Sequence, residues 1–351
     1  MIEAQIESNP RKWRGIFVIL LLILAFTFLL SLNLGSVKIP ISEVFSSFWN
    51  NSKNEIWERI ILDFRIPKAI TAILAGSALA ISGLQMQTLF RNPLAGPFIL
   101  GISSGAGLGV AIVIFLGIWI GGFVGLSEIG RSWLLVSASA VGSFLVLGVV
   151  LSASFRVRSS VSLLIIGLMF GSAVSAIVSI MQYFSRAENI QAYVIWSFGS
   201  LGSLSWQELF IMIPILSVSL FGSFLLSKPL NLILLGEDYA ESSGLNLQRT
   251  RTLIIINTSL LAGTVTAFCG PIAFIGLAVP HIGRMLFNTS NHLLLTPIVI
   301  LLGAILLLSF DIIAQLPGSD ATLPINAITS LFGAPFVIWL ILRRTNINYR
   351  F

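Results

Sequence analysis

The chain has 351 residues, of which 56% are hydrophobic and only 10% charged, with a mean hydropathy of +0.97. A soluble globule could not wet such a surface, so the composition excludes a soluble enzyme or binding domain and requires a surface that faces lipid. The formal charge of +6 comes from basic residues scattered in ones to threes between apolar runs, a pattern that suits the flanks of membrane spans rather than a nucleic-acid face.

In chain order, runs of about the 20 residues needed to cross a bilayer fall near residues 16–34, 67–89, 99–120, 133–153 and 161–183. The second half adds 206–227, 252–269, 271–287, 293–314 and 324–342. They predict one all-α membrane domain over residues 1–351 with ten spans, nine and eleven staying open because the pair around Gly270–Pro271 is hard to divide. The first run follows Arg11, Lys12 and Arg14 and outlasts the core of a signal peptide, so it is read as a retained helix. With the N-terminus inside, thirteen Lys and Arg fall in inner segments and seven in outer ones, which favours an even number of spans with both termini cytoplasmic.

Residues 74–83, LAGSALAISG, and 261–270, LAGTVTAFCG, share Leu-Ala-Gly, then Ala, then Gly at equal spacing. They lie in spans two and seven, which this topology sends in opposite directions, so the chain is expected to carry an inverted repeat. Gly101, Gly105 and Gly109, and Gly167 with Gly171, read as small-residue steps for close helix packing. Cys269 is the one cysteine, which excludes an intrachain disulfide and suits a small packed side chain.

No Asp or Glu falls near the middle of a span; Asp63, Glu208 and Asp311 lie near span ends. That argues against a proton-coupled carrier, and His281 with Arg284 comes nearest to an embedded polar pair. No P-loop sequence, nor any Gly-Lys pair, is present, so energy from ATP would need a separate chain. Two His and one Cys offer neither a metal cage nor a nucleophile with its base, so no enzyme activity, cofactor or metal is expected. The longest polar inner stretch, 228–251, predicts a short helix opening after Gly236, with Glu237 and Asp238 in its first turn, and ending at Gly244. Its three acids, Glu237, Asp238 and Glu241, on a basic inner face read as a surface for a protein partner.

Four segments carry a resemblance: RIPKAITAILAGSALAISGLQMQTLFRNPLAGPFILGISSGAG, LLGEDYAESSGLNLQRTR, GPIAFIGLAVPHIGRML and LPINAITSLFGAPFVIWLI. They resemble the FecCD-type permeases over nearly the whole chain. The resemblance implies the type II ABC importer permease fold, in a homodimer in the bacterial cytoplasmic membrane. It further implies two cytoplasmic ATP-binding subunits and an extracytoplasmic substrate-binding protein. The expected substrate is a metal chelate, a ferric siderophore before haem or cobalamin, and ATP would be bound only by the partner subunits. Carried over by position, Asn92, Pro93 and Leu94, with Ser159 and Ser160, would form the cytoplasmic gate. Gly236, Glu237, Asp238, Tyr239, Ala240, Glu241 and Gly244 would couple to the ATPase. Arg65 and Lys68 would meet carboxylates of the binding protein; Pro67 suits a first helical turn, which would put both cations at a helix N-terminus. A third basic position of such permeases is Gln315 here, which weakens that part of the carry-over. The alternative reading is a self-sufficient secondary transporter, favoured by the inverted repeat and opposed by the missing carboxylates.

Overall fold

A computed structural model describes residues 10–35, 37, 39–47, 54–117, 128–157, 160–315 and 321–344. Their helices, numbered in order, are α1 Pro10–Asn33, α2 Ile41–Ser47, α3 Glu55–Arg59, α4 Ile66–Leu89, α5 Ile102–Leu116, α6 Glu128–Arg156, α7 Ser160–Tyr183 and α8 Ala187–Ser197. There follow α9 Trp206–Leu225, α10 Ser227–Leu235, α11 Glu237–Ser242, α12 Leu247–Cys269, α13 Ile275–Phe287, α14 His292–Ala314 and α15 Ile325–Arg344. Among the described residues, seven stretches are long and apolar enough to span a bilayer, and α5, α13 and Ile325–Trp339 are shorter apolar helices at the places expected for spans three, eight and ten. The difficult division resolves at residues 270–274, which break the helix between α12 and α13.

The pairing of α4 with α14 defines two ends of an all-α membrane bundle. Lys68 Nζ lies 3.1 Å from Asp311 Oδ1, Ser77 Oγ donates to the Ile300 carbonyl at 3.1 Å, and Thr88 Oγ1 lies 2.9 Å from His292 Nε2. Numbers rise on one helix as they fall on the other, so the two are antiparallel. At the Lys68 end α1 terminates, its Leu32 carbonyl accepting from Arg65 Nη1 at 2.6 Å. There too α15 begins, with Asn326 N donating to the Phe198 carbonyl at 3.2 Å beside Gly199 and the end of α12. Pro10 and Arg344 therefore lie together at the opposite end, which also holds α10 and α11, as an even number of crossings requires.

The centre of the bundle is α4: the most apolar part of Glu55–Leu89 is 83% buried, against 17% for that of α1. Small residues make this possible, because a β-carbon at Gly76 would overlap the Gly303 carbonyl of α14, and one at Gly83 the Gly276 carbonyl of α13. Gly105 and Gly109 of α5 meet Gly142 and Ala138 of α6 in the same way, so that step is a close-packing site, whereas Gly171 meets only the Ser104 hydroxyl, at 3.2 Å. With no water at this depth, buried polar side chains must satisfy one another. Gln85 Nε2 reaches Ser223 Oγ at 3.0 Å, Asn257 Nδ2 reaches the same hydroxyl at 2.8 Å, and Thr258 Oγ1 donates to Gln85 Oε1 at 2.8 Å, joining α4, α9 and α12.

The repeat is inverted. Both α4 and α12 are long buried helices running in opposite directions, each followed by a break and a short apolar helix. After α4 the chain turns back into the bundle, so that α5 opens beside Gly263 of α12 and Ser143 of α6 instead of at the bundle's end. The two breaks touch, Pro97 of the first packing on Gly276, just after the second.

Candidate functional site

At the end away from Lys68, α10 and α11 form a bracket against the bundle. Gly236 joins them at φ +132°, a left-handed-side conformation that a side chain would resist. The helix after it is short, six residues, and Gly244 closes it at φ +86° with Leu245 N donating to the Ala240 carbonyl at 3.0 Å. Ala240 is buried against the protein, whereas Asp238, Tyr239 and Glu241 point outward. Glu237 is partly exposed and meets Arg251 at the start of α12, Nη2 to Oε1 at 2.6 Å. The exposed edge of this bracket is thus acidic and tyrosine-bearing, and its inner edge is tied down.

The turn after α4 lies against the bracket. Arg91, at φ +45°, sends Nη2 to the Ile233 carbonyl of α10 at 2.9 Å. Asn92 N donates to the Gln87 carbonyl at 3.1 Å and Asn92 Oδ1 accepts from Leu94 N at 2.9 Å, an Asx turn that directs Pro93 inward and leaves Leu94 exposed. Helix α4 stops at Leu89, ahead of the proline, as expected. Ser159 lies outside the described residues, and Ser160 opens α7.

The Lys68 end corrects one expectation. Arg65 and Lys68 are not at a helix N-terminus, because the helix starts ten residues before Arg65, at Glu55, and runs unbroken to Leu89 through a π-turn at Ile60–Arg65. Asn54 caps it, accepting from Ile56 N at 3.0 Å. The Arg65 side chain is buried and spans back to α1, donating to the carbonyls of Leu32, Asn33 and Val37. It holds this loop of its own chain. Lys68, with 23% of its side chain exposed, pairs with an Asp311 only 5% exposed, whose other oxygen accepts from Gln315 Nε2 at 2.8 Å. Lys68, Asp311, Gln315, Gly202 and Thr322 line a cavity of about 490 Å³ at this end. Asp311 was legible only as a span-end acid; nothing in the sequence linked it to a lysine 243 positions away.

Between these ends, α5, α7 and α8 enclose an open groove of about 290 Å³ lined by Ser104, Ser175, Ser179, Gln182, Tyr193 and Trp196. Ser175 and Ser179 are exposed on α7. Arg284 Nη1 donates to Gln87 Oε1 at 2.6 Å, and the His281 ring packs edge-on to Phe336.

Comparison with known proteins fits this architecture. The chain is 38% identical to the vitamin B12 import system permease protein of Klebsiella pneumoniae over 337 residues, 96% of this chain and 95% of that protein. It is 34% identical to the hemin transport system permease protein of Yersinia pestis, covering 96% and 97% of the two chains. A solved structure described as an inward-facing conformation of a metal-chelate type ABC transporter superposes with a TM-score of 0.81 at 31% identity, over 95% of this chain and all of that one. The profile of the FecCD transport family matches residues 22–343. The chain belongs to the FecCD transport family, as an all-α membrane permease.

Proposed function

We propose that the chain is the membrane subunit of an ABC importer for a metal chelate, working as a homodimer with two separate ATP-binding subunits and an extracytoplasmic binding protein. The observation that carries this reading is the bracket: an exposed acidic edge, Asp238, Tyr239 and Glu241, backed by side chains tied into the bundle. A solvated loop needs no such attachment; a surface that receives force does. On this reading the Glu237 end is cytoplasmic and both termini lie there. Asn92, Pro93 and Leu94, beside the bracket, contribute to the inner gate with Ser159 and Ser160, and the serine groove of α7 faces the pathway at the dimer centre. The binding protein docks at the Lys68 end, meeting Lys68 on the cavity rim and the 33–37 loop that Arg65 holds.

Within the chelates, this reading takes ferric siderophores first, and relatives named for vitamin B12 and hemin put corrin and porphyrin complexes beside them. The mechanism is alternating access: closure of the ATP-binding subunits pushes the brackets and reorients the helices around the substrate. The test is uptake into proteoliposomes holding the chain, its ATP-binding subunits and its binding protein, from a panel of labelled ferric siderophores, haem and cobalamin. ATP-dependent uptake of one of them is expected, and lost coupling when Glu237 and Asp238 are both replaced by Lys. Uptake by the chain alone, without ATP, would establish the secondary-transporter reading instead.

A further inference from the structure

The bracket is joined to the bundle by a set of buried polar groups whose directions can be worked out one by one. Helices α10 and α14 face each other at matched one-turn spacing, Ser227 opposite Thr296 at 3.3 Å and Asn231 opposite His292. Residues four apart share a helix face, so these are two rungs of one antiparallel ladder. Leu293 N donates to Asn291 Oδ1 at 3.0 Å, which identifies that atom as the oxygen. Asn231 must then offer it an N–H, and Nδ2 lies 2.8 Å away. Asn231 Oδ1 in turn accepts from the His292 backbone N–H at 2.8 Å. The same oxygen lies 2.9 Å from His292 Nδ1, so Nδ1 carries the ring hydrogen. Nε2 is left as an acceptor, 2.9 Å from the Thr88 hydroxyl at the end of α4, whose one hydrogen lies between it and the Leu84 carbonyl at 3.0 Å. His292 is fully buried and Thr88, Asn231 and Asn291 nearly so.

Such a chain admits no slippage. Apolar contacts between helices can slide by a fraction of a residue at little cost, but these groups lie where no water replaces a broken bond, and the Asn231 amide and the His292 ring each present a set donor and acceptor. Gly236 joins α10 to α11 directly beyond, and these bonds oppose any displacement of α10 against the bundle when α11 is pushed. We propose that Thr88, His292, Asn231 and Asn291 form a latch that makes α10 move as one body with α4 and α14, so that force received on α11 reaches the most buried helix of the bundle. These are positioning residues, and the inference rests on the reading of the bracket as the ATPase-coupling surface.

The test compares Thr88→Val, which keeps the shape and removes the hydroxyl, with Thr88→Ser, which restores it, and with Asn231→Leu, in the full complex in proteoliposomes. Two quantities are read: the ATP-binding subunit retained on purification, and substrate imported per ATP hydrolysed. The latch predicts normal assembly and ATP hydrolysis in Thr88→Val and Asn231→Leu with import per ATP lowered about tenfold, the range of ordinary site-to-site coupling, and recovery in Thr88→Ser. If Asn231→Leu does not assemble, Thr88→Val decides. Import and hydrolysis falling in proportion, or no change in their ratio, overturns the latch while the importer reading stands. A wild-type complex without ATP-driven import overturns both.

Discussion

Helices α4 and α7 are both 24 residues long, yet they occupy opposite situations. The stretch containing α4 is the less apolar, and it is by far the more buried, 83% of its most apolar part against 22% in α7. In a soluble protein the order would be reversed. In a bilayer the solvent is itself apolar, so a leucine gains nothing by going inside; helices are drawn together by close backbone approach and by polar groups that find partners. Helix α4 has the glycines, glutamines and threonines for this. Helix α7 instead presents Ile165, Met169, Ile177 and Ile180 outward, interrupted by Ser172, Ser175 and Ser179. The first helix is a fixed axis and the second a wall awaiting neighbours.

The sharpest way to break this contrast is to spoil the axis. Gly83→Leu sets a side chain into the Gly276 backbone, which cannot step aside as a side chain could. No folded protein should survive detergent extraction and size-exclusion chromatography. Gly148→Leu on α6, with nothing within 4 Å of a β-carbon, should elute and melt as wild type.

Next in size is the charge pair that fastens the axis at its Lys68 end. Lys68→Met leaves the Asp311 carboxylate buried without its cation, which should cost about 3 kcal/mol in thermal unfolding. Replacing both partners, Lys68→Met with Asp311→Leu, should recover most of that stability, since two apolar side chains need no compensation. A double variant as unstable as the single one would mean that the pair's geometry, not its charge, is what the fold uses.

The wall can be tested against an exposed side of α9. Val218 on α9 is exposed on an apolar helix side with Phe221 and Phe210, and Val218→Lys should cost about 3 kcal/mol as judged by melting temperature and yield. Ser179→Lys on the α7 groove should cost less than half of that if the groove is wetted in the assembled dimer. Equal losses would put α7 in lipid and remove the pathway reading of its serines.

How far the sequence could foresee this differs from helix to helix. The ten apolar helices among the described residues were legible, because length and hydropathy depend on the chain alone. The short helix between Gly236 and Gly244 was equally plain, since Gly236 and Gly244 occupy the backbone positions that required glycine. The repeated Leu-Ala-Gly motif marked the right helices but hid a difference: Gly76 touches backbone, whereas Gly263 meets only side chains of Ser143 and Ile102. The roles of Arg65 and of the Thr88–His292–Asn231 chain were out of reach, because their partners lie 28 to 204 positions away. A signal for the latter was present in polar residues at four-residue spacing, Ser227 with Asn231 and His292 with Thr296, inside otherwise apolar segments.

The smallest expected effect concerns the ion pair on the bracket. Glu237 is about one-third exposed and Arg251 mostly covered, so water and salt screen one partner well. Pairs of this kind contribute less than about 1 kcal/mol, and Glu237→Gln, which keeps a hydrogen-bond acceptor for Arg251, should shift the melting temperature barely beyond error. The same change should nevertheless lower import per ATP, because it loosens α11 from α12 at the point where a partner would press. Those two measurements separate what holds the protein together from what makes it work. A melting shift as large as that of Lys68→Met would make the bracket part of the axis; unchanged import with an unchanged melt would make it an ordinary solvated turn.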